Sequence, residues 1–281
     1  MRYFIKVFEG ITPFFAALGL QGLAYQVLTA IYQFYIRLTV EAELKGQGIT
    51  DSDLIRMRVE NRAMISPELK NLFGIFIMIF CGIIFVQWYR RININNPKRR
   101  IGSIFSFSNT GNLILIGLGC QFFISALLNV LLPFFTKLFE EYSEIMNSIF
   151  VGHPIMIVIY SVIIAPIVEE MIFRGVMLNK LRQSFPFIGA NILQAIIFGV
   201  YHTNIIQGIY AFANGILLGY ICYKFQSILA SIFLHMVINA AAYIYILYPG
   251  DMPINMYLGL GVIGGITISF GLYRLKEDKI D

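Results

Sequence analysis

Apolar stretches long enough to cross a lipid bilayer, which takes about 20 residues, recur from one end of this chain to the other. Of its 281 residues, 58% are hydrophobic and 13% charged, more apolar surface than a water-soluble fold of this length could cover. In lipid each backbone N–H and C=O must find its partner within the protein, and helices achieve this segment by segment. The expected fold is therefore all-α, a polytopic membrane helix bundle.

About eight spans can be drawn, with cores near Ile11–Ile36, Asn71–Tyr89, Gly111–Phe135, Pro154–Leu178, Phe187–His202, Ile205–Phe225, Ser227–Leu247 and Asn255–Tyr273. The first is too long for the apolar region of a signal peptide and ends without a small-residue cleavage site. The fifth is short, and the Thr203–Asn204 link forces it into a hairpin with the sixth. Between the third and fourth spans, Phe134, Phe135, Leu138, Phe139, Tyr142, Ile145, Met146, Ile149 and Phe150 recur at helical spacing opposite Glu140, Glu141 and Glu144. That pattern predicts an amphipathic helix, lying in the membrane interface or packed on its own bundle. The polar stretch Arg37–Lys70 reads as a long solvated loop. Gly215 and Gly219 form a small-xxx-small face suited to close helix packing.

Basic residues suggest the orientation. With the N-terminus inside, the inner segments hold Arg2, Lys6, Arg90, Arg91, Lys98, Arg99, Arg100, Lys180, Arg182, Lys224, Arg274, Lys276 and Lys279. The outer segments hold Lys137 and those of the Arg37–Lys70 stretch, whose middle lies far from either span, where the positive-inside rule weakens. Both termini are thus expected in the cytoplasm of a multi-pass cell-membrane protein. The net charge of +5 suits loops facing anionic lipid, so no nucleic-acid partner is needed to explain it. Cys81, Cys120 and Cys222 all lie in apolar stretches without CxxC spacing, which argues against structural disulfides and a thiolate zinc site.

The fourth span breaks the apolar pattern with Glu169, Glu170 and Arg174 in the segment Pro166-Ile-Val-Glu-Glu-Met-Ile-Phe-Arg-Gly175. Each charge costs about 2.5–3.5 kcal/mol at mid-membrane, so the three together would cost on the order of 8–10 kcal/mol if unpaired. Glu170 and Arg174 are four apart and share a helix face. Glu169 points roughly 100° away, which leaves it free for chemistry while Arg174 neutralises Glu170. Pro166 can loosen the helix just upstream and admit water.

Two of the three histidines also lie in apolar sequence. His202 ends Phe198-Gly-Val-Tyr-His202, and His235 shares a helical face with Asn239, four residues on. A carboxylate, two imidazoles and a carboxamide are the parts needed to activate water and stabilise an oxyanion. Singly each has a structural explanation, since buried histidines are often core residues, membrane asparagines often join helices, and Arg–Glu pairs can be purely structural. Three spans, the fourth, fifth and seventh, carrying them together favour a site. His153, at a span entrance, is left out of it.

The pattern Glu169-Glu170-x-x-x-Arg174, Phe198-x-x-x-His202, His235-x-x-x-Asn239 resembles the motif set of the CAAX protease and bacteriocin-processing (CPBP, or Abi) family of intramembrane glutamic endopeptidases. The resemblance runs from about Pro154 to Leu247. It implies a hydrolase that cleaves a membrane-associated peptide or protein, lipidated or not, in CAAX-type, leader-peptide, bacteriocin or signalling-peptide processing, with self-immunity a further family role. By the same resemblance Glu169 and His202 activate water, His235 and Asn239 stabilise the oxyanion, and Glu170, Arg174 and Phe198 support the site. The chain then divides into N-terminal helices over 1–153, a catalytic core over 154–250 and a final helix and tail over 251–281.

With the N-terminus inside, His202 falls near the outer end of its short span and Glu169 nearer the inner end of its own. They meet only if the helices are offset or tilted. No cofactor is expected. A zinc peptidase using His202, His235 and a glutamate is the first alternative, although HExxH spacing is lacking. A non-catalytic scaffold or peptide-binding immunity protein is the second. A transporter ranks last, because the polar residues sit only in the second half of the chain.

Overall fold

The structure, a computed structural model, describes residues 2–93, 101–149, 151, 153–244 and 252–275. Among these, ten helices carry the fold: α1 Arg2–Gly46, α2 Ser52–Arg62, α3 Pro67–Ile92, α4 Phe107–Leu131, α5 Thr136–Ile149, α6 Pro154–Arg182, α7 Phe187–Tyr201, α8 Ile205–Phe225, α9 Ile228–Ala242 and α10 Ile254–Arg274. The described residues contain no strand. Lys98, Arg99, Arg100, Phe150, Lys276, Lys279 and the end of the seventh predicted span lie outside them.

Local sequence explains where the helices begin. Ser66 accepts from the Leu69 N–H ahead of Pro67, Ser106 from the Asn109 N–H, and Asn204 from the Gln207 N–H. Each satisfies an amide that the first turn leaves without a partner. α8 stops at Gln226, whose left-handed φ of 46° lets the Gln226 amide bond back to Tyr223 and the Ser227 amide to Cys222. The chain then turns directly into α9.

Six helices, α1, α3, α4, α6, α8 and α10, are long and apolar enough to cross a membrane. The other two predicted spans are α7 and α9, of 15 residues each. At helical rise each covers about 22 Å, short of the roughly 30 Å hydrocarbon core.

The predicted Arg37–Lys70 loop is corrected. α1 continues to Gly46, and α2 occupies Ser52–Arg62. Arg37–Glu41 at 2.8 Å and Lys45–Glu41 at 3.9 Å are pairs four residues apart that support the exposed side of this helix, while Val40 and Leu44, also four apart, form its buried side. Arg62 closes the α1–α2 hairpin on Glu43. The amphipathic segment forms α5, which packs on α8 through the Tyr142–Tyr210 contact while Glu140, Glu141 and Glu144 stay exposed.

Two apolar clusters hold the bundle. One gathers α1, α3, α6 and α7 around Phe85, Ile172, Phe173 and Phe198. The other gathers α4, α8, α9 and α10 around Leu113, Ile116, Leu218 and Leu234. Lipid gives no hydrophobic drive between helices, so close packing must do the work. At Gly199 and Gly208 an added Cβ would come within 2.7 Å and 3.1 Å of the partner's carbonyl oxygen, so α7 and α8 cross with their backbones in contact.

Candidate active site

α6 is an irregular rod. π-helical segments at Ile159–Ile164 and Met171–Leu178 bracket the α-helical turns Ala165–Glu170 that carry the two glutamates. Pro166 has no N–H to offer the preceding turn and its ring crowds that turn's carbonyl. The wider π-turn just before it accommodates both faults, with the Ala165 N–H reaching back to the Tyr160 carbonyl. π-bulges of this kind concentrate at functional sites.

Glu170 is wholly buried, and Arg174 is 1% exposed. Arg174 Nη1 donates to Glu170 Oε1 at 2.6 Å and Nη2 donates to the Gly215 carbonyl at 3.1 Å. The guanidinium also lies over the Phe198 ring, 4.4 Å from its centre. The same Glu170 oxygen is 3.0 Å from His235 Nδ1. A carboxylate only accepts, so Nδ1 carries the proton and Nε2 turns the other way. There it faces Glu169 Oε2 at 3.8 Å. Glu169 has 12% of its side chain exposed and no Lys or Arg ion pair among the described residues.

His202 caps the C-terminus of α7. Its Nδ1 is 2.8 Å from the Phe198 carbonyl, so Nδ1 donates and Nε2 is left as a base. The two histidine rings stand edge-on to Phe198, with centroids 4.9 Å away for His202 and 5.9 Å for His235. Phe198 is thus the common wall of the site. No hydrogen bond or ion pair joins His202 to Glu169 among the described residues.

The depth mismatch expected for these two groups has a simple resolution. α6 runs to Arg182 rather than ending at Leu178. Glu169 lies about 20 Å back from Arg182, and His202 about 22 Å beyond Phe187, so the two antiparallel helices bring them to a similar level.

Asn239 is anchored on α6. Its Nδ2 donates to the Ser161 carbonyl at 2.8 Å, inside the first π-segment. Ser161 Oγ donates to the Ile157 carbonyl and pairs with Tyr243 Oη at 2.7 Å. The amide has a second hydrogen, so one N–H remains for another acceptor.

Several site-supporting groups escaped the sequence reading. Gln194 Nε2 donates to the Gly215 carbonyl at 2.9 Å, the oxygen that also receives Arg174, and to Asn191 Oδ1 at 2.8 Å. Asn191 in turn donates to the Ile216 carbonyl at 3.0 Å. Gln21 of α1 donates to Tyr201 Oη at 2.6 Å, tying the first helix to the residue beside His202. Each is an amide inside an apolar span, a signal available in the sequence. Among the described residues, no group of three or more His, Cys, Asp or Glu is disposed to hold a metal ion.

Similarity to a known family falls on the half of the chain that carries these residues. Residues 151–241 match the family model described as Rce1-like, type II CAAX prenyl endopeptidase. The Bacillus subtilis (strain 168) protein named "Putative membrane peptidase YdiL" is 28% identical over 110 residues, 39% of this chain and 45% of that protein. The match spans less than half the length of that relative. No solved structure matches. Over residues 151–241 the chain is thus similar to the type II CAAX prenyl endopeptidase family.

Proposed function

We propose that the protein is an intramembrane endopeptidase in which Glu169 activates the attacking water. The observation that carries this reading is the division of labour between adjacent glutamates. Glu170 is buried, paired with Arg174 and bonded to His235, whereas Glu169 is partly open and faces a histidine nitrogen across 3.8 Å. That gap is too long for a hydrogen bond and suits a shared water or reacting oxygen. His202, with Nε2 unprotonated, takes the second proton-accepting position. His235 Nε2, when protonated, and the remaining Asn239 N–H supply donors for the tetrahedral oxyanion.

The substrate reading is a peptide or protein segment that reaches the site from the bilayer, a lipidated C-terminus included. Its support is an apolar groove of about 550 Å³ between α7 and α8, lined by Gly199, Gly208, Thr203 and Asn204 among others, the last two following His202 in the chain. The same groove favours one second reading, a scaffold that binds such a peptide without cutting it.

The test uses purified wild type and Glu169→Gln with quenched peptides, prenylated and unprenylated, with and without chelator. Gln keeps the shape and removes the base, so cleavage should fall at least about 100-fold while peptide binding persists. Chelator should leave the wild-type rate unchanged. Loss of activity on chelation with rescue by zinc would instead establish the metallopeptidase reading. No cleavage by either protein, with equal binding, would establish the scaffold.

A further inference from the structure

A second groove lies between α6 and α3. It has a volume of about 390 Å³ and an almost wholly apolar wall, built from Ile79, Ile83 and Val86 on α3 and Ile164, Ile167 and Val168 on α6. Gly82 brings the helices together at its floor, where an added Cβ would sit 3.0 Å from Val168 Cγ2. Gln87 and Arg90 are its polar lining residues, both toward the C-terminal end of α3. Arg90 is exposed and has no ion pair with any described residue.

We propose that this groove binds one anionic glycerophospholipid, with its phosphate on Arg90 and Gln87 and one acyl chain along the apolar wall. Three observations converge on that occupant. A single cation closes one end of an otherwise apolar channel, which matches an amphiphile with a negative head. The distance from Arg90 back to Ile79 is about 16 Å along the helix, the depth of one leaflet of a hydrocarbon core of about 30 Å. Arg90 also opens the most basic stretch of the sequence, ahead of Arg91, Lys98, Arg99 and Arg100, a juxtamembrane pattern that concentrates anionic lipid. The chain would lie against Ile164, Ile167 and Val168, next to the turn that carries the glutamates, and so steady the irregular part of α6.

The test needs no peptidase activity, so its outcome is separate from that of the proposed function. The protein is purified in neutral detergent, stripped of lipid, and titrated with phosphatidylglycerol or phosphatidylcholine. Bound lipid is counted by native mass spectrometry, and the unfolding temperature is followed in parallel. Wild type should retain one phosphatidylglycerol at least fivefold more tightly than phosphatidylcholine and be stabilised by it. Arg90→Ala should lose that preference while Arg91→Ala, which removes the same charge beside the groove, keeps it. Ile83→Trp, filling the channel from an exposed position, should block retention of the lipid with an unchanged unfolding temperature in lipid-free detergent. Equal weakening by Arg90→Ala and Arg91→Ala would reduce the effect to diffuse surface charge and overturn the proposal. Retention by Ile83→Trp would also overturn it.

Discussion

Replacing Arg174 with Met keeps most of the side-chain volume and removes the charge that neutralises Glu170. The substitution deletes a 2.6 Å ion pair, a 3.1 Å hydrogen bond to the Gly215 carbonyl and the guanidinium over Phe198. Breaking a buried pair by removing one partner costs about 3–5 kcal/mol, chiefly because the other charge is stranded. At about 2–4 °C per kcal/mol for a chain of this size, the unfolding temperature in detergent should fall by roughly 6–20 °C. The origin of that loss is separable. If the stranded Glu170 carboxylate is responsible, adding Glu170→Gln should recover part of the stability, so the double variant is more stable than Arg174→Met alone. A coupling of at least about 2 kcal/mol is expected in the thermal-unfolding cycle of wild type, both single variants and the double. Additive losses would refute the reasoning and assign the cost to packing against Phe198 instead.

The geometry sets three further outcomes. Thr203 is a β-branched residue at φ 58° on an exposed turn, a conformation that costs an L-residue about 1–2 kcal/mol. Thr203→Asn, which tolerates it better, should raise the unfolding temperature by a few degrees; a fall would show that the threonine is held for another reason. At Gly219 an added Cβ would collide with Asn191 Oδ1 and come within 2.9 Å of Gln194 Nε2, so Gly219→Ala should cost about 1–3 kcal/mol by overpacking. Asn191→Ala in the same chain should restore part of that loss in a thermal melt. Asn239→Leu should lower the cleavage rate by about 100-fold or more if its second N–H meets the oxyanion. An unchanged rate with only a lower melting temperature would confine Asn239 to holding Ser161.

The candidate site stands out in the sequence because ionisable groups are costly in lipid and therefore conspicuous. Glu169, Glu170 and Arg174 stand out against uncharged neighbours, and the four-residue spacing of Glu170 and Arg174 already implies their pairing. The spans were legible for the same reason, to within a few residues for α8 and α10. What escaped notice depends on neighbours distant in the chain. Nothing near Gln21 indicates that it reaches Tyr201, 180 residues away. The Gly215 carbonyl is backbone, so its shared role in receiving Arg174 and Gln194 leaves no trace in residue type. The continuation of α1 past Ile36 was hidden because its buried residues Val40 and Leu44 are too sparse among charged neighbours to mark a span.

The two π-turns in α6 make residue count matter unevenly along that helix. A π-turn holds its extra residue by widening the helix, so side-chain changes within Ile159–Ile164 can be absorbed one at a time. Loss of that one extra residue would let the turn rewind to ordinary α-helix, with the turns on either side still facing as before. The regular turns Ala165–Glu170 hold no spare residue, and a deletion ahead of Glu169 within them would rotate Glu169 and Glu170 by about 100° relative to the turns before them. The segment Ile159–Ile164 should therefore absorb a one-residue deletion that the stretch between Pro166 and Glu169 cannot.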